Sequence, residues 1–179
     1  PLIYYTLKLA NKIKNVYIFV STDNYKIKRY SEKFISKSKY YRPKSLSGDK
    51  SLVIDAVFHA LRWLKKDKNF DFDTVLMLQP TSPLRDLREI QKAINIFKKN
   101  NLDSLIAVSH MREHPYECIK LKKKNWDYLE NNNKKKSKGR QDYIKDYFFI
   151  NGSFYMSKVS FLKKYKNFII KKKTKIFVQ

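Results

Sequence analysis

The sequence TVLML at residues 74–78 is followed at once by QPTSPLR at residues 79–85. An uninterrupted run of apolar and β-branched residues is typical of a strand that is buried on both faces of a parallel sheet. The two prolines that follow fix the backbone and hold Gln79 and Arg85 at the edge of that sheet. Ligands of open α/β sheets bind beyond the carboxyl ends of the strands, so this turn is a candidate functional site.

Segments of helical and strand periodicity alternate on both sides of this stretch. Apolar spacing predicts helices at 2–13, 51–65 and 87–99, strands at 16–20, 74–78 and 104–108, and further buried structure at 147–150 and 152–156. This order indicates a single α/β domain over residues 1–179 with a largely parallel sheet. Residues 122–138 have no apolar period and predict a mobile loop.

The composition limits the class of protein. Apolar residues make up 42% of the chain and aromatic residues 15%, which is enough for a folded core. Cys118 is the only cysteine, so no internal disulfide can form and a reducing compartment is expected. No apolar run approaches the roughly 18 residues of a membrane helix, so we expect a soluble, cytoplasmic protein without a membrane partner.

The net charge of +24 makes phosphate-bearing partners plausible. One alternative is therefore a non-enzymatic, basic nucleic-acid-binding domain. Only seven of the 40 basic residues are arginines, and the lysines are dispersed, which favours solvated surface charge over a specific nucleic-acid interface. The three glycines form neither a GxGxxG nor a GxxxxGK[ST] loop, which disfavours a P-loop ATPase and a standard NAD enzyme.

Other polar residues have simpler interpretations. Residues 21–24 (STDN) follow a predicted strand, but the same residue types are those of an ordinary helix N-cap, which we favour. His110 and His114 stand four apart without an evident third ligand, and Pro115 follows, so a metal site is disfavoured. His59 is interpreted as a hydrogen-bonded, partly buried histidine.

Several motifs resemble those of one family, the CMP-N-acylneuraminate synthetases, which are cytidylyltransferases that activate sialic-type sugars. The matching motifs, spread over nearly the whole chain, are VSTD at 20–23, RP at 42–43, LQPTSPLR at 78–85, RQD at 140–142 and NG at 151–152 with Tyr155. LQPTSPLR is specific by itself, and its order with the other motifs makes the resemblance stronger.

The resemblance implies a three-layer, Rossmann-like nucleotidyltransferase fold with a mostly parallel sheet. It also implies an enzyme that transfers CMP from CTP to a nine-carbon sugar acid, with release of pyrophosphate and help from Mg²⁺. Legionaminic, pseudaminic or ketodeoxyoctonic acid are alternative acceptors for the same chemistry. Such a reaction depends mainly on positioning and charge stabilisation, which suits a site without a catalytic triad.

The resemblance also implies roles for individual residues. The residues expected at the sugar are Gln79, Arg140, Asn151, Tyr155 and Phe168, and those expected at the nucleotide are Arg42, Ser51 and Asn151. Arginine forks match carboxylate and phosphate oxygens, and amides both donate to and accept from sugar hydroxyls. The family commonly works as a homodimer, and residues 142–155 are the expected contact.

This chain departs from the family pattern at both ends. The family begins earlier, with a loop rich in Gly, Arg and Lys that holds the triphosphate, and it continues to an Asp-x-Asp segment that binds Mg²⁺. We therefore expect a domain that is truncated at both ends, with Mg²⁺ ligands outside this chain and little activity alone. Within the chain, Leu52 and Val53 interrupt the serine run expected near Ser51.

Overall fold

The structure, a computed structural model, describes residues 1–123, 125–129 and 147–179. The helices are α1 (Ile3–Ala10), α2 (Tyr25–Ser31), α3 (Val53–Lys68), α4 (Leu87–Lys99) and α5 (Val159–Tyr165). The strands are β1 (Thr74–Met77), β2 (Ser104–His110), β3 (Ile119–Lys122), β4 (Asn125–Tyr128), β5 (Phe148–Lys158) and β6 (Lys175–Val178). None of the helices in these ranges is both long and apolar enough to cross a membrane.

The central sheet has the strand order β1-β5-β2-β6 over the described residues. Strand β5 pairs antiparallel with both β1 and β2, and β6 pairs parallel with β2. Strands β1, β2 and β6 therefore run in one direction, and β5 runs in the opposite direction between two of them. The α/β fold is confirmed, with one reversed strand that the periodicity does not predict.

Helices cover both faces of this sheet, which gives three layers. On β1, Leu76 packs with the core of α4, whereas its neighbour Met77 packs with that of α3 and α5. Strand β5 alternates in the same way, with Phe154 on the first face and Tyr155 on the second. The three-layer arrangement expected from the family resemblance is therefore present.

Helix α4 shows how the sequence specifies these layers. Asp86 is its N-cap, and the Asp86 carboxylate accepts a hydrogen bond from the backbone N–H of Arg88 at 2.8 Å. Ile90, Ala93 and Phe97 recur at helical spacing and are fully or almost fully buried. Burying side chains such as Ile90 and Phe97 contributes about 1.5–3 kcal/mol each, so this face fixes the helix on the sheet.

The strand predicted at residues 16–20 is wrong. No strand hydrogen-bond ladder includes this segment within the described ranges, where β1 pairs only with β5. Its apolar character serves side-chain packing instead: the Phe19 ring lies 4.8 Å from that of Tyr40 and 5.9 Å from that of Trp63. Apolar runs predict burial, and burial here comes from aromatic contacts with the α3 region.

The loop predicted at residues 122–138 is wrong in part. Asn125–Tyr128 is strand β4, which pairs antiparallel with β3 as a two-stranded hairpin. The apolar period is absent because both strands are mostly exposed, so neither needs a buried face. Lys124 and residues 130–138 lie outside the described residues.

Candidate functional site

Three strands that run in the same direction end at one edge of the sheet, and polar side chains follow them there. Gln79 follows β1, Ser109 lies next to the end of β2, and Gln179 follows β6. The backbone N–H of Gln179 donates to the carbonyl of Val108 at 2.9 Å, which fixes Gln179 beside the end of β2. This carboxyl edge is where ligands of open α/β sheets bind.

A bulge in β5 projects into the same edge. Residues 151–154 of β5 lie opposite Ala107 alone, because regular pairing with β2 stops at Tyr155 and resumes at Ile150. Gly152 within the bulge has φ +70°, a conformation that a residue with a side chain rarely adopts. Bulges of this kind re-aim side chains next to functional sites, and this one presents Asn151.

Asn151 is held by three hydrogen bonds of its side-chain amide. Its Nδ2 donates to Ser109 Oγ at 2.7 Å and to Gln179 Oε1 at 3.2 Å. Its Oδ1 accepts from the backbone N–H of Ser153 at 2.9 Å. The bulge is thereby joined to the ends of both β2 and β6 by one side chain.

The turn at residues 79–85 lies against the bulge. The Ser82 hydroxyl donates to the Asn151 carbonyl at 3.5 Å, and the Ser82 backbone N–H donates to the Gln79 carbonyl at 3.3 Å. The half-buried Gln79 has no hydrogen bond from its side-chain amide to the described residues, so this amide is available to a ligand. Ser82 therefore links Gln79 and Asn151, the two amide residues predicted at the sugar.

The two predicted aromatic residues lie on the α3 and α5 face. Tyr155 is the register partner of Met77, two residues before Gln79, and its ring lies 5.9 Å from that of Phe168. Tyr155 is partly buried, whereas Phe168 is 6% exposed and belongs to the core. Phe168 therefore supports the Tyr155 ring from the side of the core.

Arg42, predicted at the nucleotide, lies in a second polar group. Its Nη2 forms an ion pair with Asp23 Oδ1 at 3.3 Å, and its Nε donates to Ser47 Oγ at 3.0 Å. The Arg42 backbone N–H donates to the carbonyl of Thr22 at 3.1 Å. The VSTD and RP motifs are thus neighbours in space.

Ser51, the other residue predicted at the nucleotide, closes a turn. Its hydroxyl accepts from the Gly48 backbone N–H at 3.1 Å and donates to the Ser45 carbonyl at 3.2 Å. In the described ranges, no hydrogen bond or ion pair joins the Arg42 group to the Gln79 and Asn151 group. Arg140 lies outside the described residues, as do residues 142–146 of the predicted dimer contact.

A buried tyrosine, Tyr40, connects Ser21 with helix α3 beside Arg42. The Tyr40 hydroxyl lies 3.0 Å from Ser21 Oγ and 3.1 Å from Nδ1 of His59. Burial raises the pKa of Tyr40, and the Ser21 hydrogen bond and the charge of Arg42 oppose that rise. His59 is a hydrogen-bonded, partly buried histidine, as predicted.

The N-cap interpretation of residues 21–24 is also confirmed. Asn24 is the N-cap of α2, and its side chain accepts from the Ile27 backbone N–H at 3.1 Å. His114 has a similar local role, since its Nδ1 accepts from the backbone N–H of Tyr116 at 3.3 Å.

Residues 1–176, nearly the whole chain, match the model of a protein family described as Cytidylyltransferase. The chain belongs to the cytidylyltransferase family. The family recognised from LQPTSPLR and its companion motifs is thereby confirmed at the level of the cytidylyltransferases.

Two curated relatives illustrate the range of similar proteins. Post-translational flagellin modification protein B of Campylobacter coli is 30% identical over 115 residues, which are 63% of this chain and 48% of that protein. CMP-N,N'-diacetyllegionaminic acid synthase of Legionella pneumophila is 35% identical over 101 residues, 56% of this chain and 43% of that protein. This cytidylyltransferase chain therefore spans about half the length of the curated relatives it matches.

The described part of this cytidylyltransferase contains no group of three or more His, Cys, Asp or Glu side chains that could hold a metal ion. Asp23, beside the predicted nucleotide residue Arg42, is already in an ion pair. These residues do not fit a Mg²⁺ site. The Mg²⁺ cofactor, with ligands outside this chain, stays a prediction.

Sequence reasoning missed several residues of this candidate site. Ser109 and Gln179 hold Asn151, yet both are common residue types that stand in no recognised motif. Ser82 lies inside LQPTSPLR, so the motif carried a signal for it, but only the structure shows which backbone it contacts. Arg85 was predicted at the edge of the sheet, and its guanidinium donates there to the carbonyls of Gln79 and Ser153 and to the Thr6 hydroxyl.

Proposed function

We propose that the whole protein transfers CMP from CTP to a nine-carbon sugar acid of the sialic type, with release of pyrophosphate. In this reaction the anomeric hydroxyl of the sugar attacks the α-phosphorus, loses its proton, and displaces the β- and γ-phosphates as pyrophosphate. The observation that carries the proposal is the turn at 79–85, which lies against the Asn151 bulge at the carboxyl edge of β1, β2 and β6.

The described residues suit the binding of the acceptor sugar. The Gln79 amide can both donate to and accept from sugar hydroxyls, and no hydrogen bond to the described residues occupies it. The Ser109 hydroxyl accepts from Asn151 Nδ2 and can still donate its own hydrogen to a sugar oxygen. Their fixed positions lower the entropic cost of orienting the acceptor, which is the main contribution of the protein in phosphoryl transfer.

The charge of the chain suits both substrates. CTP carries a triphosphate and the acceptor a carboxylate, and a chain of net charge +24 attracts both. Arg42, held by Asp23 and Ser47, is the proposed contact to the nucleotide, since a guanidinium matches phosphate oxygens. We include a homodimer in the proposal, with Phe149 and Ile150, each about half exposed, in the predicted contact.

The name of the Legionella relative makes a legionaminic-type acid the first acceptor to test. Sialic, pseudaminic and ketodeoxyoctonic acids are the alternatives for the same chemistry. The side chains that surround the bound sugar determine which acid is accepted, so the assay must include all four acids.

The test is an assay of the full-length protein with CTP, Mg²⁺ and each sugar acid, read out as CMP-sugar by mass spectrometry and as released pyrophosphate. We expect product with at least one acid and with CTP in preference to ATP, GTP and UTP. The proposal is wrong if no acid yields a CMP-sugar.

Gln79→Ala provides the residue-level test, with Gln91→Ala on the exposed surface of α4 as the matched control. Loss of the free amide should lower kcat/KM for the sugar acid at least about tenfold, or about 1.4 kcal/mol. The control should keep the wild-type value. Equal activity of the two variants would remove Gln79 from the acceptor site.

A further inference from the structure

The side chain of Arg85 joins three separate parts of the chain. Its Nη2 donates to the Gln79 carbonyl at the start of the turn, and its Nε donates to the Ser153 carbonyl in the β5 bulge. Its Nη1 donates to the hydroxyl of Thr6 in α1 at 3.1 Å. One planar group therefore fixes the turn, the bulge and a helix relative to one another.

This arginine has no acidic partner among the described residues. Burial lowers the pKa of Arg85 to about 10, so the side chain is still a cation at neutral pH. Burying a cation against neutral oxygens alone is an expensive way to stabilise a fold. The bonds to the Gln79 and Ser153 carbonyls and to the Thr6 hydroxyl offset that cost, so the value of Arg85 lies in the geometry of its fork.

The geometry of a guanidinium explains the choice of residue. Its N–H groups lie in one plane and point in fixed, divergent directions, so they can contact three acceptors on different elements at once. A lysine would supply a compact ammonium on a flexible stem, and it would satisfy fewer of these acceptors. The position therefore requires arginine for its shape rather than for its charge.

We propose that Arg85 is a positioning residue for CMP transfer, which holds the backbone of Gln79 at a fixed place against the Asn151 bulge. This inference rests on the proposed function, because it assigns Gln79 the acceptor sugar. Arg85 acts through Gln79: its N–H groups are directed to Gln79, Ser153 and Thr6, and the Gln79 amide contacts the sugar.

The first experiment measures how firmly Arg85 fixes the turn and the bulge, and it does not depend on catalysis. Amide hydrogen exchange followed by mass spectrometry compares wild type with Arg85→Ala and Arg85→Lys in the full-length protein. The Ser82 and Ser153 N–H groups, which are hydrogen-bonded to Gln79 and Asn151, should exchange at least about tenfold faster in both variants, while peptides of α4 keep the wild-type rate. Unchanged exchange at 79–85 and 151–153 overturns the proposal.

The second experiment is a double-mutant cycle on the kinetics, with Arg88→Ala on exposed α4 as the charge-matched control. Arg85→Ala should raise KM for the sugar acid and lower kcat, with KM for CTP nearly unchanged. Added to Gln79→Ala, it should cause little further loss, because the residue it positions is already gone. If the fold-losses of the two single variants multiply in the double variant, Arg85 and Gln79 act independently and the proposal is overturned.

One further variant and a chemical rescue separate a positioning role from a loss of folded protein. If Arg85→Ala does not fold, Thr6→Val removes one of the three acceptors and should give a smaller change in the same direction in both experiments. Guanidinium ion added to Arg85→Ala should restore part of kcat, a rescue that a general loss of folded protein would not show. A wild-type protein inactive with every acid refutes the proposed function, and the exchange experiment still decides whether Arg85 holds the turn.

Discussion

At the scale of single residues, Asn151 uses both ends of its side-chain amide to fix the bulge. Its Nδ2 needs acceptors, supplied by Ser109 and Gln179, and its Oδ1 needs a donor, supplied by the Ser153 N–H. Only an amide satisfies both requirements, because a carboxylate has no hydrogen to donate at neutral pH. The resemblance pointed to Asn151, and the structure adds the reason for this residue type.

Asn151→Asp tests that requirement with almost no change in shape. The carboxylate keeps the bond from Ser153 but cannot donate to Ser109 or Gln179, and it adds a negative charge beside the anionic sugar acid. We expect KM for the sugar acid to rise at least about tenfold, or about 1.4 kcal/mol, since like charges in a binding site are costly. Asn95→Asp, on the exposed surface of α4, is the control that adds the same charge elsewhere. Steady-state kinetics with both variants decide it, and equal KM values would contradict the role of the amide.

At the scale of elements, β5 shows where sequence patterns succeed and where they stop. The apolar runs at 147–150 and 152–156 were predicted as two pieces of buried structure, and residues 148–158 form one strand interrupted by its bulge. The predicted burial is wrong for Phe149 and Ile150, which are about half exposed. Asn-Gly at 151–152 is the visible signal, because glycine accepts the positive φ that the bulge requires. The direction of β5 was not predictable, since alternation of side chains is the same in parallel and antiparallel strands.

The run at residues 16–20 shows the opposite case. Like residues 104–108, which lie in strand β2, it is a short and mainly apolar run, yet the described chain pairs no strand with it. A strand requires a neighbour with matching hydrogen bonds, and the local sequence carries no information about that neighbour. Such a segment can still be recognised as partly buried, which is what its aromatic contacts bear out.

Gly152→Ala tests the conformational requirement of the bulge. An added Cβ would lie 3.6 Å from Ser82 Oγ, which is an ordinary contact, so the cost comes from the φ of +70°. Placing a side chain in that region costs roughly 1–2 kcal/mol, and the lower entropy of the unfolded chain offsets part of it. We expect a net loss of about 1 kcal/mol in the free energy of unfolding, measured by urea denaturation with an unchanged m-value.

Gly48→Ala is the matched control for that measurement. Its added Cβ would lie 3.8 Å from Ser51 Oγ, and no positive φ is found there. This variant should be as stable as wild type or slightly more stable, because only the unfolded-state entropy changes. If both alanine variants lose the same free energy, the cost does not arise from the bulge.

At the scale of the whole molecule, periodicity was sufficient to predict an α/β domain, and the family resemblance added the three-layer arrangement. Helix α4 has the predicted bounds, 87–99, because a cap at Asp86 and a clear apolar stripe mark it. The assembly of the site was not predictable in the same way. Ser82, Ser109 and Gln179 lie far apart in the chain and meet only because three strand ends share one edge.

The net charge of +24 also belongs to the whole molecule. The described lysines are largely exposed, and several lie over aromatic rings of their own neighbourhood, such as Lys166 over Phe58 at 4.5 Å. Arg42 and Arg85 lie in separate groups, the first bonded to Asp23 and the second to backbone carbonyls. The charge is therefore spread over the surface and forms no dedicated arginine cluster in the described ranges.

This distribution predicts how the protein interacts with nucleic acid. Dispersed lysines neutralise phosphates without contacting base edges, so binding should be independent of sequence and should depend steeply on salt. Fluorescence anisotropy with two labelled oligonucleotides of different sequence, measured between about 50 mM and 200 mM salt, should show equal affinities that fall together by at least about a hundredfold. CTP binding, which uses a local site, should fall far less over the same range. A preference for one oligonucleotide that survives at the higher salt would contradict this and restore the nucleic-acid-binding alternative.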